Sequence, residues 1–170
     1  MQEEIVFSVG DKVIHPSYGA GTVLEINEKQ IGEQQRNYYV IELLAQAGTL
    51  MVPVSRASEL GLRSPVERPE HVLTILSSEP GSLSNDHRER QESIGTELRS
   101  GDVQRISKVV RDMAFRDRAD KLTEADLKLY RQAQDLLVGE LAVSQDIDMD
   151  IAREQVTSVL DALDSVEESA

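Results

Sequence analysis

The sequence predicts an α+β protein, with a small β-barrel in residues 1–64 followed by an all-α helical bundle in residues 65–170. Three observations predict it. Short runs rich in Val, Ile, Tyr and Thr fill the first third of the chain, and clusters of Gly, Pro, Ser and Asn separate them. After Leu62 the apolar residues recur at helical spacing. The two kinds of element do not alternate, which argues against a parallel sheet built from strand–helix–strand units.

The strands come first. "DKVIHP", "GTVLEI", "NYYVIEL" and "TLMVPV" are the candidate runs. Between the first two, "HPSYGAG" offers Pro16, then Gly19 and Gly21, which can adopt positive φ. "NEKQIGEQQRN" reads as a polar hairpin tip containing Gly32. Pro53 has no N–H to give a ladder, so it ends or edges the last long strand. Four or five short strands in so few residues suit a small barrel better than a sandwich.

The helices follow. Val72, Ile75 and Leu76 mark the first, and Pro80 and Gly81 break the pattern after it. Ser84 is a candidate N-cap for a second helix from about Asn85 to Arg99. Val103, Ile106, Val109, Val110 and Met113 share one face of a third. Thr123 and Asp126 have capping-box spacing before a fourth, whose apolar face carries Leu127, Tyr130, Leu137 and Leu141. A last helix presents Ala152, Val156, Val159, Leu160 and Leu163 and is expected to pack on the bundle with a frayed acidic end.

Composition narrows the function. Apolar residues make up 39 %, enough for a core, but aromatics are only 4 % and Trp is absent, so that core is aliphatic. Without Cys there are no disulfides or thiolate sites. No stretch approaches the roughly 18 apolar residues of a membrane span. "MQEEIVFSVGDK" lacks the apolar run of a secretory signal, so the cytoplasm is the expected compartment. The net charge of −13 argues against a protein held on DNA by bulk electrostatics. The charge is uneven: residues 88–131 carry 11 basic and 9 acidic side chains, whereas residues 132–170 carry 1 and 10. A solvated helical surface explains the basic middle as readily as a ligand does.

No catalytic constellation is legible. His15, His71 and His87 are far apart and have no metal-ligand spacing. "GAG" at Gly19–Gly21 leads into a strand, unlike a dinucleotide fingerprint. "DIDMD" lacks the glycine and distal glutamate of an EF-hand and reads as an acidic helix start. Neither an enzyme nor a metal or cofactor is expected.

The stretch "LSNDHRERQESIGTELRSGDV" poses the sharper question. As a helix its inner face would run His87, Gln91, Ile94, Leu98. Two of those four are polar, so the helix is either a weakly apolar core element or a surface that meets something else.

Resemblance adds to this reading. "FSVGDKVIHPSYGAGTVLEI", "YYVIEL" and "TLMVPVSRASELGLR" resemble the RNA-polymerase-interacting domain of the CarD/CdnL family of bacterial transcription regulators, a module shared with the transcription-repair coupling factor. "SGDVQRISKVVRDMAFRDRADKLTEADLKLYRQAQDLLVGELA" resembles the family's helical C-terminal domain, where the coupling factor instead has a helicase. The resemblance spans most of residues 5–142. It implies a Tudor/SH3-like barrel that docks on the RNA polymerase β subunit by extending its sheet. Lys29, Ile31, Met51 and Pro53 fall at the matching positions. Some family members carry arginine at the first and third of these, and Met51 offers apolar area but no bidentate charge pair. The alternative reading of Met51 is an ordinary strand residue facing the barrel, and the contact role is the one favoured.

The resemblance also implies that the helical domain lies at the upstream edge of the opening promoter. There a family tryptophan wedges at the minor groove while basic neighbours hold phosphates, slowing collapse of the open complex. Counting back from "SGDV" puts that tryptophan position on His87. Arg88 and Arg90 continue the basic run, interrupted by Glu89 and followed by Glu92, and Lys128 and Arg131 match further basic positions. No Phe, Tyr or Trp occurs from Val40 to Ala114, so the wedge residue is missing whatever replaces it. The leading expectation is a monomeric regulator bound to the polymerase β subunit, making a weak, polymerase-dependent contact with promoter DNA. The other is a polymerase-bound adaptor whose helical domain has lost that contact.

Overall fold

The computed structural model describes residues 6–168, the last four by backbone alone, and the chain divides into two units, Met1–Pro65 and Val66–Ala170. The first contains β1 (Lys12–His15), β2 (Gly19–Ile31), β3 (Gln34–Leu43) and β4 (Thr49–Pro53), all antiparallel in the order β1-β2-β3-β4. A register shift between Val23 and Glu25 leaves Leu24 as an extra, exposed residue. Such bulges sharpen twist, and the sheet curls into a half-barrel. Phe7, Val13, Val23, Tyr39, Ile41, Val52, Val54 and Leu62 fill its concave side.

The polar stretch expected as a hairpin tip is mostly strand. The β2–β3 ladder continues to Ile31↔Gln34 and turns through Gly32 and Glu33, with Gly32 at φ +65. A glycine first in a two-residue hairpin loop is the residue that tolerates this backbone. The ribbon outruns the core here, so its residues show no apolar alternation and the strand was hidden from a pattern reading. The glycines of the β1–β2 turn also differ from expectation. Gly19 has positive φ (77), but Gly21 does not. Gly21 is small because β3 is close: a Cβ there would lie 2.5 Å from Ile41 Cγ2 and 2.7 Å from the Glu42 carbonyl oxygen.

After β4 a 3-10 turn (Val54–Arg56) returns the chain to β1, where Ile14 and Arg63 exchange backbone hydrogen bonds of 2.8 and 3.1 Å. The outer edge of β1 is thereby covered in part. The outer edge of β4 has no backbone partner among the described residues.

The second unit holds α1 (Pro69–Leu76), α2 (His87–Arg99), α3 (Val103–Arg118), α4 (Glu124–Gln145) and α5 (Met149–Glu168). Val72, Leu76, Ile94, Leu98, Ile106, Val110, Met113, Leu137, Leu141 and Val156 belong to one aliphatic core. The apolar stripe of α3 is buried throughout, whereas Leu127 and Tyr130 of α4 are only half-buried. The N-cap of α2 is Asp86, not Ser84: Asp86 Oδ1 accepts the N–H groups of Arg88 (3.0 Å) and Glu89 (2.9 Å). Ser84 supports it, accepting the Asp86 N–H and donating to Glu89. The capping box of α4 forms as its spacing indicated: Thr123 Oγ1 accepts the Asp126 N–H (3.2 Å), and Asp126 Oδ2 accepts the Thr123 N–H (2.8 Å). On α5, Ala152, Val156 and Leu160 face the core. The acidic end expected to fray lies beyond the described side chains.

Candidate functional site

Two surfaces gather the residues that the sequence singles out. On the sheet, pairings Val40↔Met51, Tyr38↔Pro53, Lys29↔Arg36 and Ile31↔Gln34 fix which side chains share a face. Successive strand residues alternate sides. Tyr39, Ile41 and Val52 point into the core, so Lys29, Ile31, Met51 and Pro53 lie together on the outer, convex face. Lys29 Nζ approaches Met51 Sδ to 3.7 Å across β3. Met51 is 37 % exposed and Ile31 52 %. Met51 does not face the barrel. This face therefore offers the apolar area of Met51 and Ile31 beside the charges of Lys29, Arg36 and Glu25, and Met51 carries it to the edge strand β4.

The second surface is the start of α2. His87 and Arg88 are exposed in its first turn. Arg90 is buried at 2 % exposure, and its guanidinium meets the fully buried Asp126 at two points, Nε to Oδ1 at 3.1 Å and Nη2 to Oδ2 at 2.8 Å. Its Nη1 donates to the carbonyls of Ser84 (3.0 Å) and Asn85 (3.3 Å). Burial pushes the Asp126 carboxyl up, but the Arg90 guanidinium and the capping contacts of Thr123 outweigh it and hold the group down at about 2. Lys128 and Arg131 are exposed on α4 and make no ion pair among the described residues. The Arg90–Asp126 joint, two residues after Arg88 and two before Lys128, ties the two helix starts together, and Gln91 adds contacts to Thr123 and Asp126 at 3.4 Å.

Among the described residues no cluster of His, Asp and Glu is arranged to hold a metal ion, and no helix is long and apolar enough to cross a membrane.

These two units match two families in chain order. The CarD-like/TRCF RID domain family matches residues 7–66, and the CarD C-terminal domain family matches residues 71–157. The chain belongs to the CarD/CdnL family. Among its relatives is YdeB of Bacillus subtilis (strain 168), named as a candidate transcription factor, 26 % identical over 144 residues that span 84 % of this chain and 94 % of YdeB. The CarD/CdnL family is a family of transcription regulators.

Within that frame Arg90 is the correction. It was expected among the DNA-contacting residues, but its guanidinium is enclosed and all its charge is committed to Asp126 and two carbonyls. The inner face of α2 runs Arg90, Ile94, Leu98, with Gln91 half-buried beside it and His87 outside. So α2 is a core helix with one buried ion pair, and of the α2 residues expected to contact DNA only His87 and Arg88, in its first turn, are exposed.

Sequence reasoning also missed Phe115, which is 43 % exposed near the end of α3. The signal was available. The helical repeat that points Met113 inward turns Phe115 about 200° away from it.

Proposed function

We propose that this protein binds the RNA polymerase β subunit through the β4 edge and the convex face of its sheet. Its helical unit then acts on the stability of the promoter open complex from the upstream fork. The single observation that carries the reading is the open backbone edge of β4, whose exposed Met51 is met across β3 by Lys29. An unpaired edge supplies main-chain donors and acceptors to an added strand, and the flanking side chains supply selectivity. Family membership gives the partner its identity, since the matched N-terminal domain is the one shared with the transcription-repair coupling factor.

The acidity of the chain fits this arrangement. A protein of net charge −13 gains little free affinity for duplex DNA from bulk electrostatics, but docking on polymerase raises the effective concentration of its helical unit at the promoter. A monomer suffices, working in the cytoplasm at the nucleoid wherever polymerase is. His87, Arg88, Lys128 and Arg131 are the side chains available for DNA on the α2 and α4 starts.

One observation favours the adaptor reading. The position of the family tryptophan holds an exposed His87 between Asp86 and Arg88, and Glu89 and Glu92 follow, so the turn is close to neutral and offers no indole. A helical unit that meets a protein instead of DNA would retain the docking and lose the promoter effect.

The test is a pull-down with the isolated polymerase β subunit. Wild type is expected to be retained and Met51→Glu, which replaces apolar area with a carboxylate, to be lost. Equal retention of both, or of neither, rejects the sheet-edge docking. Open-complex lifetime measured with the same proteins separates the regulator from the adaptor.

A further inference from the structure

Phe115 does not stand alone on the surface. It borders a cleft of about 200 Å³ between the end of α3 and the segment leading into α2, lined also by Leu83, Asn85, Asp112, Arg116 and Lys121. The charges of this cleft are unequal. Asp112 accepts from Arg111 Nε and from the Gly81 N–H, both at 2.8 Å, so its charge is already answered. Arg116 donates to the Lys121 carbonyl (3.1 Å) and to Asn85 Oδ1 (3.5 Å), but meets no carboxylate among the described residues. The Lys121 ammonium likewise has no acidic partner among them. The Asn85 side-chain amide nitrogen donates to no group among the described residues.

We infer that this cleft binds an unpaired nucleotide of single-stranded DNA, with the base stacked on Phe115 and the phosphates held by Arg116 and Lys121. Each part answers one part of a nucleotide. An exposed aromatic ring offers a stacking platform that any base can use. Two uncompensated cations offer phosphate contacts, and they lie in the stretch where basic residues outnumber acids in an otherwise acidic chain. An amide donor can bond a base edge. An acidic peptide would answer the cations but leave the ring and the amide without a role. Asn85 is two residues before His87, so the cleft adjoins the exposed first turn of α2. The inference deepens the promoter-fork reading and rests on it for the source of the strand: the fork is where unpaired bases become available.

The test uses the full chain and a short thymine-rich single-stranded oligonucleotide carrying one 2-aminopurine, whose fluorescence is quenched on stacking. At low salt wild type is expected to quench it on binding. Phe115→Ala, with folding checked by circular dichroism, should weaken binding about tenfold and remove the quench. Phe115→Trp should keep the quench. Lys121→Ala should weaken binding and reduce the salt dependence by roughly one phosphate contact. Absence of quench with wild type, or an equal quench with Phe115→Ala, overturns the site. So does a glutamate-rich peptide that binds in a Phe115-dependent way while the oligonucleotide does not. Loss of polymerase docking, by contrast, leaves the oligonucleotide titration unchanged, so failure of the wider reading is seen separately.

Discussion

Arg90 and Asp126 join the first turn of α2 to the first turn of α4 by two parallel hydrogen bonds of 3.1 and 2.8 Å in a site from which water is excluded. Asp126 also closes the capping box with Thr123, so one carboxylate organises two helix starts. Removing only one member strands the other charge in the interior. Arg90→Ala is therefore expected to destabilise the helical unit by about 3–5 kcal/mol in urea unfolding. Changing both residues to apolar ones of similar volume should cost much less than the two single losses together. A loss for Arg90→Ala under about 1 kcal/mol would show that the pair is open to water.

The same pair sets an acid limit. Asp126 titrates at about 2 in the folded chain, against roughly 4 in the unfolded one. Its folded value is depressed, so the unfolded state binds the proton more readily. The pair's contribution, about 2 kcal/mol, is fully present above pH ~4 and is lost as pH falls through about 2. Asp126→Asn removes this titration, and its stability should change less between pH 4 and 2 than that of wild type. Parallel pH profiles of the two proteins would contradict the assignment.

Tyr39 gives a prediction for the sheet unit. Its hydroxyl accepts the N–H groups of Val6 (3.0 Å) and Phe7 (3.2 Å), and the Phe7 ring meets it edge-on with centroids 5.6 Å apart. Tyr39→Phe keeps the ring and deletes the acceptor. With Phe7 buried, its N–H is left without a partner, which costs about 1–3 kcal/mol. Amide exchange should accelerate at Val6 and Phe7 while Ile41 and Val52 hold their protection. Unchanged exchange at Phe7 would mean that the hydroxyl is not its anchor.

How far each feature could be read from sequence follows from the range of the interaction behind it. The Thr123–Asp126 box spans three residues and was legible as a motif. The α3 stripe was legible because an aliphatic face at helical spacing has few other uses. Arg90 was misassigned because a cation on a helix is ordinarily solvated, and the group that buries it lies 36 residues away. His87 has nearly the angular position of Ile94 two turns on, yet as the first residue of α2 it is exposed. The β2–β3 ribbon past Ile26 was hidden because its strand pairing outlasts its core. That β4 ends or edges the sheet was legible in Pro53, which has no N–H for a ladder, but its use as a docking edge came only through the resemblance.

The remaining prediction concerns what holds the helical unit to promoter DNA. With Arg90 enclosed, the exposed cations of the α2 and α4 starts are Arg88, Lys128 and Arg131. Each phosphate contact adds a salt dependence, because binding releases a counterion. The extra affinity for a polymerase–promoter complex over polymerase alone should therefore fall as salt rises. Changing Arg88, Lys128 and Arg131 together to Ala should flatten that dependence by roughly two to three contacts. β-subunit retention should stay at the wild-type level, because these residues are remote from the β4 edge in sequence and belong to the other unit. Titration of labelled protein against both complexes at several salt concentrations measures the two effects together. If the triple variant keeps the wild-type slope, these cations are solvated helix surface, and the adaptor reading gains over the regulator.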